Sequence, residues 1–164
     1  VAERAKPKGM YKRFFLYVAL VFVLACTTKK IPGTDLSDTE GNRALLEMLD
    51  EFRRATEDKD IERIVRLLDE SFADDGGTAD MADDMEYANA REKLKERFSR
   101  ISNVRLQMTF RKLERSKAQS DVYWVSYSYM LSFSLADKNM QDSDVKQMRV
   151  RKTKGDRWLI LSGI

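Results

Sequence analysis

The 164-residue chain has no histidine and one cysteine. One cysteine allows no internal disulfide, and without histidine an ordinary zinc site cannot be assembled. No Gly-rich dinucleotide fingerprint, P-loop or serine-nucleophile pattern occurs, so the common nucleotide-binding and acyl-transfer classes have no footing. Charge of one sign is also missing from the body of the chain. The net charge of +3 comes from residues 1–25, where Arg4, Lys6, Lys8, Lys12 and Arg13 stand against Glu3. The remainder carries 25 basic and 26 acidic residues, a balance that gives no electrostatic argument for nucleic acid. Long apolar runs are absent but for one, Phe14–Ala25, which is too short for a span of about 20 residues.

That run sits in an ordered context. Lys12 and Arg13 precede it, and Val23-Leu24-Ala25-Cys26 closes it. A positive start, a short apolar core and a small residue before a cut are the parts of a signal peptide. Val23 to Cys26 resembles the lipobox of bacterial lipoproteins, with Leu24 bulkier than the usual small residue. The resemblance implies that Cys26 is lipidated and that residues 1–25 are removed; residues 1–9 lack signal character, so Met10 is the expected true start. It also implies a lipid-anchored protein of the bacterial envelope, placed by Thr27 at the outer membrane and facing the periplasm. Two or three acyl chains would hold it firmly, since each buried CH₂ contributes about 0.8 kcal/mol. An uncleaved anchor helix extended through Tyr11 or Lys12 and a buried helix of the domain are the alternatives.

Residues 26–41, with Pro32, Gly33 and Gly41 among Thr, Ser and Asp, read as a flexible tether, and 42–164 as one domain. From Asn42 the pattern is helical: Leu45, Leu49 and Phe52 recur at spacings of four and three, with Met48 beside them. Asp60 is placed to cap a second helix carrying Ile61, Ile64, Val65 and Leu68, with Phe72 extending the stripe. Asp69, Asp74, Asp75, Asp80, Asp83, Asp84 and Glu86 then crowd around Gly76-Gly77. The spacing does not fit a calcium loop, which leaves a solvated acidic loop and no metal. Asn89 and Glu92 have capping-box spacing before a third helix with Leu94, Phe98 and Ile101 inward.

After Asn103 the period drops to two. Val104, Leu106, Met108 and Phe110 alternate with polar residues. The segment "VYWVSYSYMLSFSL" puts Tyr123, Val125, Tyr127, Tyr129, Leu131 and Phe133 on one face, with Trp124, Met130 and four serines on the other. The polar "DKNMQDSD" reads as the next turn, and "VKQMRVRKT" with "RWLILSGI" as a closing hairpin around Lys154-Gly155. Three helices followed by four antiparallel strands predict an α+β fold, helices packed on one face of a curved sheet of four or more strands.

From Asn42 to Ile164 the chain resembles the nuclear transport factor 2-like superfamily, with its SnoaL-like and ketosteroid isomerase branches. The resemblance rests on "EDKDIERIVRLLDESF", "YANAREKLKERFSRI" and the terminal "KGDRWLILSGI". It implies a cone-shaped roll whose mouth holds a small molecule. The dehydratase branch uses Asp with His, which this chain cannot supply. The isomerase branch uses Asp and Tyr. Candidate catalytic residues of that kind are Asp74 or Asp75 with Tyr127 or Tyr129, because no acid falls on the interior face of any strand as read from sequence. Candidate ligand-binding residues are Tyr87, Tyr127, Tyr129, Arg149 and Arg151, no cofactor being implied. The leading expectation is a non-enzymatic cone that binds a small apolar or amphipathic ligand or an envelope protein. An isomerase-like or dehydratase-like enzyme and a structural subunit of an envelope assembly stand as alternatives. The serine-rich sheet face, with Trp124 and Met130, is a candidate homodimer surface.

Overall fold

The first helix begins where a side chain replaces a missing backbone partner. In the computed structural model, which describes residues 29–76 and 84–164, the Thr39 hydroxyl accepts from the Asn42 N–H at 3.2 Å and opens α1, Glu40–Asp58. Leu45, Met48, Leu49, Phe52 and Ala55 form its buried stripe. Lys59 ends the helix in the left-handed region at φ 55°, and its N–H returns to the carbonyls of Ala55 and Thr56. Asp60 caps α2, Ile61–Leu67, by accepting from the Arg63 N–H at 3.0 Å, as expected. The helix is shorter than its apolar stripe. Leu68 leaves it to bridge Ile160 in parallel, and Leu68 and Phe72 reach the core from beyond the last turn.

Two short strands, β1 Ala73–Asp74 and β2 Met85–Glu86, pair antiparallel on either side of residues 77–83. Then comes α3, Ala90–Ser99. The expected capping box is not made: Asn89 makes no side-chain cap, and its Oδ1 accepts from the Glu86 N–H at 2.8 Å instead. The side chain closes the turn behind it, and one acceptor cannot serve both directions.

The sheet is an antiparallel meander in the order β3 Ile101–Arg115, β4 Val122–Leu135, β5 Lys138–Lys152 and β6 Trp158–Ser162. Helices cover one face, giving the α+β architecture. Val125, Tyr127, Met148, Val150, Trp158 and Ile160 point into the core with Leu45, Phe52, Ile64 and Phe72. Trp158 packs edge-on against Tyr123 at 5.1 Å and donates its indole N–H to the Gly41 carbonyl at 2.8 Å, fixing β6 to the start of α1. Glu57 accepts from the Leu106 N–H at 3.0 Å, just past an irregularity at Ser102–Arg105, and joins the end of α1 to β3.

One expectation is overturned. All of "DKNMQDSD" but its first residue, Asp137, is strand, not turn. Leu135 pairs with Lys138, so only Ala136 and Asp137 turn the chain, at φ 47° and 62°. Two consecutive left-handed residues match the strand twist in a two-residue hairpin, usually with Asn or Gly, neither of which is present here. The polar run survives as strand because this end of β5 is exposed on both faces.

The packing reaches back into the stretch read as tether. Lys30 bridges Ser37, the Ile31 N–H donates to the Leu36 carbonyl at 2.9 Å, and Leu36 is buried in the core. Cys26 and the rest of residues 1–28 lie outside the described residues. Among the described residues no helix is long and apolar enough to cross a membrane.

Candidate functional site

The inner face of β4 descends from packed core into open space. Val125 is sealed, Tyr127 is nearly so, and Tyr129 and Leu131 are half-buried. The last three line a cavity of about 260 Å³. Its floor is apolar and buried: Phe52, Ile64, Leu94 and Leu106, with the Tyr127 ring. Phe98, Ile101, Met108 and Leu131 form half-buried walls. The charged lining residues, Arg97, Asp142 and Lys146, lie where the cavity meets solvent.

Tyr127 and Tyr129, two residues apart on one face, do different things. The Tyr127 hydroxyl donates to the Gly163 carbonyl at 2.9 Å, and burial above all pushes its pKa up, helped by the charge of Asp74. Asp74 accepts from the N–H groups of Gly163 and Ile164 at 3.1 and 2.9 Å. These two candidate catalytic residues therefore meet around one glycine, each bonded to its backbone. Gly163 is at φ +90°, and a Cβ there would fall 2.2 Å from the Gln147 carbonyl oxygen, so only glycine fits.

Tyr129 donates to Asp142 Oδ2 at 2.6 Å, and Lys146 Nζ lies 5.4 Å from the centre of its ring. The hydrogen bond to the carboxylate, with burial and the charges of Asp142 and Asp144, pushes its pKa up to about 12. Asp142 itself is exposed. The expectation that no strand carries an inward acid is thus corrected. Asp142 and Asp144 alternate with outward residues on β5, paired with Leu131 and Tyr129 of β4. Reading "DKNMQDSD" as a turn hid them, and period-two counting continued backwards from Met148 through Lys146 would have placed both.

The other candidates lie elsewhere. Arg149, on the outer face opposite Trp124, stacks its guanidinium 5.7 Å from that ring. Arg151 reaches the buried Asp69 at 2.7 Å and Asp121 at 3.4 Å. Burial works to raise the Asp69 pKa but is outweighed by the Ser71 hydroxyl and N–H and by Arg151, so it is held below the usual range. Tyr87 packs against the core beside β2, its N–H donating to the Phe72 carbonyl at 3.0 Å, and is not among the residues that line the cavity. Asp75 is exposed just after β1, bordering an outer groove with Asp74, Trp124 and Arg149. Among the described residues no cluster of acids or cysteine could hold a metal.

This arrangement of helices and bent meander is the nuclear transport factor 2-like fold. A ketosteroid isomerase-like protein from Erwinia carotovora atroseptica superimposes with a TM-score of 0.62 at 9% identity, over 76% of this chain and 94% of that one. An NTF-2-like protein of unknown function from Shewanella oneidensis gives 0.56 at 13% identity, over 74% and 95%. A conserved protein from Planctomyces limnophilus gives 0.61 at 9%, over 74% and 91%. No family model and no curated protein matches the sequence.

Proposed function

We propose that the protein is a non-enzymatic binding module of the bacterial envelope, anchored by lipid on Cys26 at the outer membrane, whose cone takes up one small apolar or amphipathic molecule. The cavity itself carries this reading: it is hollow, its floor is apolar, and its charges stand at the rim. Apolar space of this kind favours any occupant that moves apolar surface out of water into it, at about 25 cal/mol per Å². A pocket with such a lining and a few convergent polar groups is the usual form of a small-molecule site. Sedimentation of the purified protein with a lipophilic fluorescent dye tests it. Met108→Trp, which fills the half-buried wall, should abolish dye binding with the circular dichroism spectrum unchanged. Equal binding by both proteins removes the cavity as the site. For the anchor, labelled palmitate should enter the wild type in a bacterial host and not Cys26→Ser.

A second reading, an acid–base enzyme, has one observation in its favour, the Tyr129–Asp142 pair. Proton abstraction inside a cone relies on a carboxylate kept from water and a phenol aimed at the reacting atom. Here the carboxylate is exposed and already accepts the phenol's proton. Asp74 and Tyr127 are engaged with Gly163. Binding without turnover is therefore the better supported reading.

A further inference from the structure

The interior of the cavity offers a ligand no free hydroxyl donor. Three hydroxyls line it, and all already donate to protein oxygens: Tyr127 to Gly163 at 2.9 Å, Thr56 to Phe52 at 2.9 Å and Tyr129 to Asp142 at 2.6 Å. An acceptor group carried to the floor would lose its water without finding a donor, at a cost of about 1–3 kcal/mol. An occupant can keep an acceptor group only at the rim, where the charged side chains stand. At about 30 Å³ for each water-sized volume, a cavity of 260 Å³ holds roughly nine non-hydrogen atoms.

One ammonium at the rim, that of Lys146, selects the polar group. Lys146, Arg97 and Asp142 are the charged residues of the lining. The Asp142 carboxylate already accepts from Tyr129, and Asp144, next on the same face, turns an oxygen back to the N–H of Val145 at 2.7 Å. Lys146 is half-buried beside the Tyr129 ring and, among the described residues, makes no ion pair. An ammonium has three donors, and a partner that brings an acceptor and a negative charge satisfies it best.

We infer that the cone takes a short monocarboxylate, aliphatic or aromatic, with its tail on the apolar floor and its carboxylate on Lys146. This rests on the binding reading above and adds the class of ligand to it. A neutral molecule of the same shape would bind more weakly, and an amine would meet the Lys146 ammonium, with the nearest lining carboxylate, Asp142, already bonded to Tyr129.

Titration calorimetry of the full-length protein with octanoate, 1-octanol and octylamine is the test. Octanoate should bind at least tenfold more tightly than octanol, and octylamine most weakly. Lys146→Met should bring octanoate to the level of octanol and leave octanol unchanged, while Lys146→Arg should keep the preference. If octanol or octylamine binds as tightly as octanoate, or the preference survives in Lys146→Met, the carboxylate assignment is overturned and the binding reading stands. If none of the three binds, both fall.

Discussion

The β4–β5 hairpin is one continuous ladder in one register, yet its two ends are chemically unlike. At the root, Val125, Met148 and Val150 are fully buried, and on β5 Met148 and Val150 alternate with Gln147, Arg149 and Arg151. At the tip, Leu135, Met140 and Val145 are 41%, 45% and 60% exposed. The difference follows from what covers each end. At the root, α1 lies on the inner face and β6 pairs with Arg149–Lys152 along the edge. Past Arg149 β6 gives β5 no further partner, and residues 138–145 are exposed on both faces. The cavity lies between, where sheet outruns core: Tyr129, Leu131, Asp142 and Lys146 are the residues of the transition. A site at such a junction needs no dedicated loop. It arises because strands longer than the layer beneath them leave apolar side chains half-covered.

The sharpest way to break this comparison is to truncate the same residue type at both ends. Met148 and Met140 both point inward from β5, but Met148 is fully buried and Met140 is 45% exposed. Met148→Ala should cost about 2–5 kcal/mol through lost burial and a cavity. Met140→Ala should stay within about 0.5 kcal/mol. Urea unfolding of both variants decides it, and equal midpoints would mean that the tip is covered in solution.

A smaller effect is expected where a buried charge anchors the edge of the root. Asp69 is 6% exposed and paired with Arg151. Asp69→Asn should destabilise by about 2 kcal/mol, the worth of a hydrogen bond to a charged group. The pH dependence has a definite sign. The folded pKa of Asp69 is depressed, so its contribution is complete above the unfolded value of about 4 and is lost as pH falls through the folded value. The wild type should lose its advantage over Asp69→Asn on acidification and keep it from neutrality down to about pH 5. A constant difference in unfolding midpoint down to strongly acidic pH would show that the carboxylate charge is not what matters.

The root was legible in the sequence and the tip was not, for the same physical reason. Burial writes a period into sequence, and β4, with one face on the core, shows it from Tyr123 to Phe133. The tip of β5 has no buried face to write one, so its Asn, Asp and Ser imitate a turn while the turn falls on Ala136 and Asp137. Tyr127 and Tyr129 were both found by their parity. Their unlike partners, Gly163 and Asp142, depend on contacts 36 and 13 residues away that no local pattern encodes. The hollow is equally illegible, since it depends on how far Phe52, Leu94 and Phe98 fail to reach one another. Asn89 shows the converse: a fitting capping spacing does not decide which neighbour the side chain chooses.

The two tyrosines give the finest test, because the same deletion can be made on each side of the transition. Tyr127→Phe removes the partner of a carbonyl at the buried end and should cost about 1–2 kcal/mol. Tyr129→Phe removes a bond to an exposed carboxylate and should cost about 0.5 kcal/mol or less. Alkali adds a second axis. A phenol whose folded pKa is raised contributes its full stability below the unfolded value of about 10 and loses it as pH rises through the folded one. For Tyr129 that window runs from about 10 to about 12, and for Tyr127, more deeply buried, the loss comes later. Ultraviolet titration of the single variants should therefore assign the earlier tyrosinate of the pair to Tyr129. If Tyr127 ionises first, the seal at the root is open to water and the floor of the cavity is not dry.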